Sequence, residues 1–223
     1  MSHILVVCAR RYNGHELWTA LGVIKNRGHT FELISTDYVI QDEITLRPNK
    51  INRTIDDVSP DEITEGKFDA FMIVSGNMAD TEAYWRHSKV LSYIKATDEL
   101  NLPIAAICCS VPTIREVASG KKVSFFPLIR SRELLSRAGA ILQTVALTSD
   151  ANLVTAEHQM ASQMWAEDFC NMIEGKPSEY FLQESGYTPK GRERKPIKEV
   201  EALRKKLGRE PIKIRNEENV DNQ

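Results

Sequence analysis

The most reactive side chains in this sequence are four cysteines, and one of them stands at a distinctive position. A short apolar run over residues 104–107 leads directly into Cys108, and a helical pattern follows without a spacer. A side chain at such a strand-to-helix turn projects from the sheet beside the amides that open the helix. Because these amides favour an anion, we predict that Cys108 is the most reactive thiol, with a pKa below the free value of about 8.5. The alternative is a cysteine packed as a small apolar side chain.

The other three cysteines have less distinctive surroundings. Cys8 lies in a predicted strand and Cys170 on the apolar stripe of a predicted helix, so both are expected to react slowly. Cys109 either packs beneath the turn or resolves an oxidised Cys108, and we favour packing because vicinal cysteines seldom bridge without backbone distortion. The spacings match neither a metal site nor a disulfide framework, and no phosphate loop is found, so we expect no metal and no cofactor.

Strand and helix patterns alternate from Ile4 to Ile173. Strands are predicted at 4–8, 30–34, 44–46, 68–74, 103–107, 122–126, 140–147 and 152–155. Helices are predicted at 16–26, 81–100, 109–118, 130–138 and 158–173. The alternation predicts an α/β fold, a doubly wound and mostly parallel sheet with helices on both faces, as in flavodoxin-like proteins. Ligands of such folds bind at the carboxyl ends of the strands, here the loops 9–16, 75–80 and 108–112.

The composition changes after Gly175. We therefore divide the chain into an α/β domain over residues 1–175 and an appendage over 176–223, which is basic at first and acidic at its end and has a short helix near 198–207. Apolar side chains near its start need a surface to cover: Tyr180, Phe181, Leu182 and Tyr187. The basic stretch is expected to meet an acidic face formed by Asp56, Asp57, Asp61 and Glu62.

Bulk properties narrow the function classes. The chain has 223 residues and a formal net charge of −2, which gives no electrostatic reason to expect nucleic acid or a membrane surface as a partner. Its apolar runs are too short to cross a bilayer and its first residues do not form a secretory signal, so we expect a cytoplasmic protein. The basic stretch of the appendage lacks the aromatic platform that stacks on single-stranded nucleic acid.

Four segments resemble the ThiJ/PfpI superfamily, in the same order along the chain. His15-Glu16-Leu17 is similar to its site-glutamate helix, and residues 68–77 are similar to the strand that ends in its oxyanion turn. The stretch Ala105-Ala106-Ile107-Cys108 resembles its nucleophile elbow, and Gly120-Lys121-Lys122-Val123, with Pro127 beyond, resembles a further segment. The resemblance implies a fold like that of class I glutamine amidotransferases and a homodimer or higher homo-oligomer.

The resemblance also implies roles for individual residues. Cys108 would be the nucleophile, and Glu16, kept protonated by partial burial, would donate a hydrogen bond to the thiolate. The backbone amides of Gly76, Asn77 and Cys109 would form the oxyanion hole. From spacing alone, Glu16 is more simply a helix N-terminal carboxylate that interacts with the helix dipole.

The chain departs from the superfamily at its histidine positions. Cys109 and Phe126 occupy the two places where the superfamily has a histidine. His158, at the start of the last predicted helix, is our candidate catalytic histidine, because the related class I glutamine amidotransferases place theirs near this point. A solvated side chain in the first helical turn is the alternative. His15, next to Glu16, is a second candidate.

Two function classes fit these features. One is an enzyme, either a cysteine-dependent hydrolase or amidase or a glyoxalase/deglycase-like protein, that acts on a small carbonyl or acyl compound. The other is a non-catalytic redox sensor or chaperone-like protein in which Cys108 is oxidised to sulfinic acid. The cysteine and the glutamate suit both classes, and the absent histidine favours the second. We lean towards the enzyme.

Overall fold

The computed structural model describes residues 1–178 and Lys205 of the chain. The strands are β1 (His3–Cys8), β2 (Arg11–Tyr12), β3 (Thr30–Ile34), β4 (Val39–Asp42), β5 (Pro48–Lys50), β6 (Ala70–Val74), β7 (Ile104–Ile107), β8 (Lys122–Ser124), β9 (Ile141–Gln143), β10 (Leu147–Asp150) and β11 (Leu153–Ala156). The α-helices are α1 (Gly14–Asn26), α2 (Asp61–Thr64), α3 (Met78–Tyr84), α4 (Ser88–Glu99), α5 (Ile129–Arg137) and α6 (Ser162–Ile173). The 3-10 helices are Ile55–Asp57, Cys108–Val117 and Gln159–Ala161.

A six-stranded sheet forms the centre of the fold, in the order β10-β11-β7-β6-β1-β3. Neighbouring strands are parallel except for β10, which runs antiparallel to β11. The central strands β1, β6 and β7 are apolar and almost wholly buried, as expected of parallel strands that are covered on both faces. The sheet confirms the predicted α/β fold.

Helices cover both faces of this sheet. On one face α1 packs against α6, and Leu17 and Trp165 lie in the apolar cluster between these helices and the sheet. On the other face α4, α5 and the long 3-10 helix enclose a second cluster, to which Tyr93 belongs. Val6 and Val7 lie in different clusters, because successive residues of a strand point to opposite faces.

The region 37–66 holds more structure than its polar sequence predicts. β4 and β5 form a hairpin that extends from β2 in a three-stranded sheet. The strand predicted at 44–46 is wrong, because these residues belong to the connection between β4 and β5. The Asp42 carboxylate accepts hydrogen bonds at 2.8 Å from the backbone amides of both Ile44 and Thr45, which is how an aspartate fixes a turn.

Three predicted elements have different bounds in the structure. The helix predicted at 81–100 is two helices, α3 and α4, and the strand predicted at 140–147 is divided between β9 and β10. At the helix break, the indole N–H of Trp85 donates to the carbonyl of Cys109 at 2.9 Å, a tertiary contact that local periodicity does not reveal. The last α-helix begins at Ser162, and His158 precedes a 3-10 turn.

Most of the predicted appendage lies outside the described residues. This applies to the apolar cluster Tyr180, Phe181, Leu182 and Tyr187, and to the helix near 198–207 apart from Lys205. The acidic face predicted as its partner is partly neutralised within the domain, because Glu62 is paired with Arg53. Hydrogen bonding to Arg53 lowers the pKa of Glu62 to about 2. Among the residues that the structure describes, no helix has the length and apolar character to span a membrane.

Candidate functional site

Cys108 sits at a strained turn where β7 ends. Its backbone φ of 57° lies in the left-handed region, which non-glycine residues rarely adopt. The Ser110 hydroxyl stabilises this turn, because it accepts a hydrogen bond from the Ile107 amide at 3.1 Å and lies 3.0 Å from the carbonyl oxygen of Ile73 on β6. The nucleophile elbow predicted from the sequence is therefore present as a geometry, with Cys108 partly exposed at its tip.

Glu16 lies in the first turn of α1 and its side chain is fully buried. The backbone amide and the hydroxyl of Ser75 both donate to its Oε2, at 3.0 and 2.7 Å. Burial raises the pKa of Glu16 well above its usual value, the neighbouring Cys108 thiol raises it further, and the Ser75 hydrogen bonds act in the opposite direction. Burial therefore favours the protonated form of Glu16 beside the Cys108 thiol, whereas an interaction with the helix dipole would favour the charged form.

Ser75 is a residue of the site that the sequence did not identify. It follows β6 directly, and its carbonyl accepts a hydrogen bond from the Asn13 amide at 3.0 Å, just before α1 begins. Its hydroxyl binds Glu16 and also favours the thiolate form of Cys108. The signal that could have revealed it is a hydroxyl residue at the carboxyl end of a buried strand, the usual place for ligand-binding residues in this type of sheet.

The Cys108 thiol has a different pKa from the one predicted. Its Sγ lies 3.7 Å from the Sγ of Cys109. The contact with Cys109 raises the pKa of Cys108, burial raises it further, and the Cys109 amide and the Ser75 hydroxyl only partly oppose them. The predicted lowering is therefore wrong in this structure, because two adjacent thiols in one buried site cannot both ionise easily.

The remaining two cysteines are inaccessible. Cys8 on β1 and Cys170 on α6 are both fully buried. Burial raises the pKa of the Cys8 thiol and raises that of Cys170 to about 12. Their slow reaction stays a prediction, and their burial is what that prediction requires.

Two of the three backbone amides predicted to form the oxyanion hole already donate hydrogen bonds to acceptors within the chain. The Gly76 amide donates to the Thr81 hydroxyl at 3.1 Å, and the Asn77 amide donates to the Arg11 carbonyl at 2.7 Å. A Cβ atom on Gly76 would lie 2.0 Å from that same Arg11 oxygen, so the two loops are packed closely. The amide of Cys109, in contrast, acts on the Cys108 sulfur.

His158 lies near the elbow in the fold. Ala156, the last residue of β11, is paired with Ile107, so His158 follows the strand next to the one that carries Cys108. Its exposed ring lies 5.9 Å from the ring of Phe126, centroid to centroid, and its Nδ1 accepts a hydrogen bond from the Met160 amide at 3.3 Å. In the neutral ring, this bond leaves Nε2 as a donor, which does not suit a general base.

Other polar residues connect the loops around the site. The side-chain amide of Asn13 donates to the carboxylate of Glu43 at 3.0 Å and to the side-chain oxygen of Gln159 at 2.6 Å. These bonds join the start of α1 to the β4–β5 hairpin and to the segment after β11. The second histidine candidate, His15, is exposed on α1. Within the described residues, no cluster of three or more histidine, cysteine or acidic side chains could hold a metal ion.

Most of the chain matches a known protein family. The family model described as the DJ-1/PfpI family matches residues 2–172. An uncharacterized protein of Methanocaldococcus jannaschii, MJ0967, is 24% identical over 175 residues, which are 77% of this chain and 82% of that protein.

Solved structures of low sequence identity share the fold. The ThiJ/PfpI domain protein from Brachyspira murdochii has a TM-score of 0.68 at 16% identity, and the match covers 78% of this chain and 98% of that one. DJ-1 from Schizosaccharomyces pombe has a TM-score of 0.66 at 15% identity, with 94% of this chain and 100% of that one covered. Drosophila melanogaster DJ-1beta has a TM-score of 0.66 at 18% identity and the same coverage. With the family model matching most of its length, this chain belongs to the DJ-1/PfpI family.

Proposed function

We propose that this protein is a cysteine-dependent enzyme of the glyoxalase or deglycase type, acting on a small carbonyl compound. The observation that carries the proposal is the fully buried Glu16, held by two hydrogen bonds from Ser75 beside the Cys108 thiol, where burial raises its pKa and favours the neutral acid. A neutral carboxyl group next to a thiol at an elbow supplies an acid and a nucleophile at one place.

Carbonyl addition suits this site better than the hydrolysis of an amide or ester. Acyl transfer needs an oxyanion hole and a base that later protonates the leaving group. Here the amides of Gly76 and Asn77 are already bonded within the chain, so we reassign the oxyanion role to the amide of Cys109. His158 has its Nδ1 engaged by the Met160 amide. The first step, addition of a thiol to an aldehyde, needs neither a leaving group nor two free amides, and the Cys109 amide is left to serve the later hydrolysis of a thioester.

The reaction begins with a hemithioacetal. The Cys108 sulfur forms a bond to the aldehyde carbon, the π bond of the carbonyl breaks, and its oxygen takes a proton from Glu16. The proton lost by the thiol restores Glu16. For a 2-oxoaldehyde, the proton on the sulfur-bearing carbon moves to the neighbouring carbonyl carbon, and the hydroxyl proton moves to the oxygen of that carbon, which gives a thioester. Attack by water then breaks the C–S bond and releases a 2-hydroxy acid and the free thiol.

The test is turnover of methylglyoxal by the full chain. We expect activity in the wild type, loss of at least about a hundredfold in Cys108→Ser and Glu16→Gln, and wild-type activity in Cys170→Ser, which removes a buried thiol. The rate should rise with pH, because the pKa of Cys108 is raised. Turnover that survives in Cys108→Ser, or no turnover across a panel of aldehydes, amides and esters, would overturn the proposal.

A second candidate is a non-catalytic redox sensor or chaperone-like protein. Phe126, which packs against His158, and Cys109, which follows the elbow cysteine, stand at the two positions where the superfamily has a histidine. The absence of that imidazole favours the second candidate. An oxidisable thiol needs no general base. A protein that shows no turnover and yet changes its partner binding when Cys108 is oxidised would establish this function.

We also propose a cytoplasmic homodimer or higher homo-oligomer. Support comes from large apolar side chains that are exposed on α1 and on the β4–β5 hairpin: Trp18 is 46% exposed, Ile44 72% and Leu46 60%. Exposed apolar side chains of this size favour a partner surface. Sedimentation of the wild type and Ile44→Glu tests the proposal, with Ile129→Glu, exposed on α5, as the control. A wild type that is monomeric at high concentration would contradict it.

A further inference from the structure

The contact between Cys108 and Cys109 has a chemical consequence of its own. Their sulfur atoms are 3.7 Å apart, and a disulfide needs them about 1.7 Å closer. We infer that Cys109 is the resolving thiol of Cys108, so that peroxide converts this pair into a reversible vicinal disulfide and not into a sulfinic acid. The inference does not depend on turnover.

The exposure of the two thiols sets the order of events. Cys108 is partly exposed at the tip of the elbow, whereas Cys109 is only 6% exposed. Peroxide therefore reaches Cys108 first, and Cys109 is shielded from direct oxidation. The other two cysteines, Cys8 and Cys170, are fully buried in β1 and α6 and cannot reach an oxidised Cys108 without unfolding.

The anchors of the turn hold its backbone and do not bind the sulfur atoms. On one side the Ser110 hydroxyl binds the Ile107 amide, and on the other the Trp85 indole binds the carbonyl of Cys109. Neither bond involves a sulfur atom. The left-handed φ of Cys108 turns the backbone so that the two neighbouring side chains meet on the same side of the elbow, with their sulfur atoms in contact. We therefore assign Cys109 a redox role in addition to the packing role that we predicted from the sequence.

The chemistry takes two steps and needs only hydrogen peroxide as oxidant. The Cys108 sulfur attacks one peroxide oxygen, the O–O bond breaks, and the departing hydroxide takes the thiol proton and leaves as water, which gives a sulfenic acid. The Cys109 sulfur then attacks the Cys108 sulfur, the S–S bond forms, and the S–O bond breaks. The departing hydroxide takes the Cys109 proton and leaves as a second water, so the two thiols have given two electrons to the peroxide.

The experiment follows one tryptic peptide, residues 96–115, which contains Cys108 and Cys109 but neither Cys8 nor Cys170. The reduced full-length chain is exposed briefly to graded hydrogen peroxide, alkylated, digested and analysed by mass spectrometry. In the wild type we expect an unalkylated peptide that is lighter than the dithiol by two hydrogen atoms. Treatment with dithiothreitol should restore the dithiol.

Variants separate this role from simple packing. In Cys109→Ser we expect the peptide to gain two oxygen atoms at Cys108, at least about fivefold more than in the wild type at equal dose, and not to be restored by dithiothreitol. Cys170→Ser, which also loses one buried thiol, should behave as the wild type. Circular dichroism checks that each variant is folded, and Cys109→Ala replaces the serine variant if that one is not.

Two results would overturn the inference. One is a wild-type peptide that gains two oxygen atoms as fast as in Cys109→Ser and shows no loss of two hydrogen atoms. The other is a disulfide found only between two chains on a non-reducing gel. The measurement is independent of methylglyoxal turnover, so failure of the proposed enzyme activity and failure of the disulfide are told apart.

Discussion

Replacement of Glu16 by glutamine tests the protonation state on which the proposed site depends. Glutamine has the shape of a protonated glutamate, and its side-chain oxygen can keep both hydrogen bonds from Ser75. If Glu16 is a neutral acid in the folded chain, the variant removes only its ability to ionise. Folding should therefore tolerate the change, whereas the proposed chemistry should not.

The magnitude follows from proton linkage. The pKa of Glu16 is raised in the folded state, so above the unfolded value of about 4.5 the folded chain binds one proton more than the unfolded chain. The stability that protonated Glu16 provides is fully present below that value and is lost as the pH rises towards the folded pKa. In that window the wild type should lose about 1.4 kcal/mol of unfolding free energy per pH unit relative to Glu16→Gln.

The assay is urea unfolding of the wild type and Glu16→Gln at several values between about pH 5 and 7. We expect the free-energy difference between them to shift steadily with pH, in favour of the glutamine variant at the higher pH. Glu65→Gln, at an exposed ion pair with Lys67, is the matched control and should differ by less than about 0.5 kcal/mol. A difference for Glu16→Gln that stays flat across the range would refute a neutral Glu16.

Three further predictions concern packing and domain organisation. Gly76→Ala should destabilise the fold by at least about 2 kcal/mol, because its Cβ would lie 2.0 Å from the backbone oxygen of the facing loop. Gly22→Ala, which has open space around it, should stabilise α1 by about 0.5–1 kcal/mol. Thermal unfolding of the two variants compares these effects. Lys121→Met should lower the free energy of unfolding in urea by about 3–5 kcal/mol, because the buried Asp98 carboxylate would lose the ammonium group that lies 2.9 Å away. Lys95→Met, at an exposed ion pair, is the control, and a loss for Lys121→Met no larger than for this control would contradict the prediction. A chain that ends at Gly175 should keep its sheet, by circular dichroism, but bind more of a hydrophobic dye and associate more weakly in sedimentation; unchanged association would remove the role of the appendage.

The order of the central strands and helices was largely accessible from the sequence. Buried parallel strands are continuous apolar runs, so β1, β3, β6 and β7 were predicted within two residues of their bounds. The β4–β5 hairpin was not predicted, because its strands are short and its turn depends on Asp42 hydrogen bonds. The division between α3 and α4 was missed as well. At this break the Trp85 indole donates a hydrogen bond to the carbonyl of Cys109, and a contact with a residue distant in sequence leaves no local pattern.

For the candidate site, the sequence by itself determined where the elbow lies and which residue stands at its tip. Both follow from local order, since an apolar run passes straight into the next helix at Cys108. The tertiary structure alone decided the partners. It brought Ser75 to Glu16 across 59 residues of sequence, and it paired the Asn77 amide with the carbonyl of Arg11 on a distant loop.

The protonation states were likewise decided only by the fold. A sequence places Cys109 next to Cys108, but whether their sulfur atoms touch depends on the backbone angles at the turn, here a left-handed φ. The pKa of Glu16 is raised mainly because segments far apart in the chain exclude water from it, and the pKa of Cys108 is raised by the contact with Cys109 and then by burial. Burial is a property of the packed molecule and not of any local pattern, so the residue types were readable from the sequence and their chemical states were not.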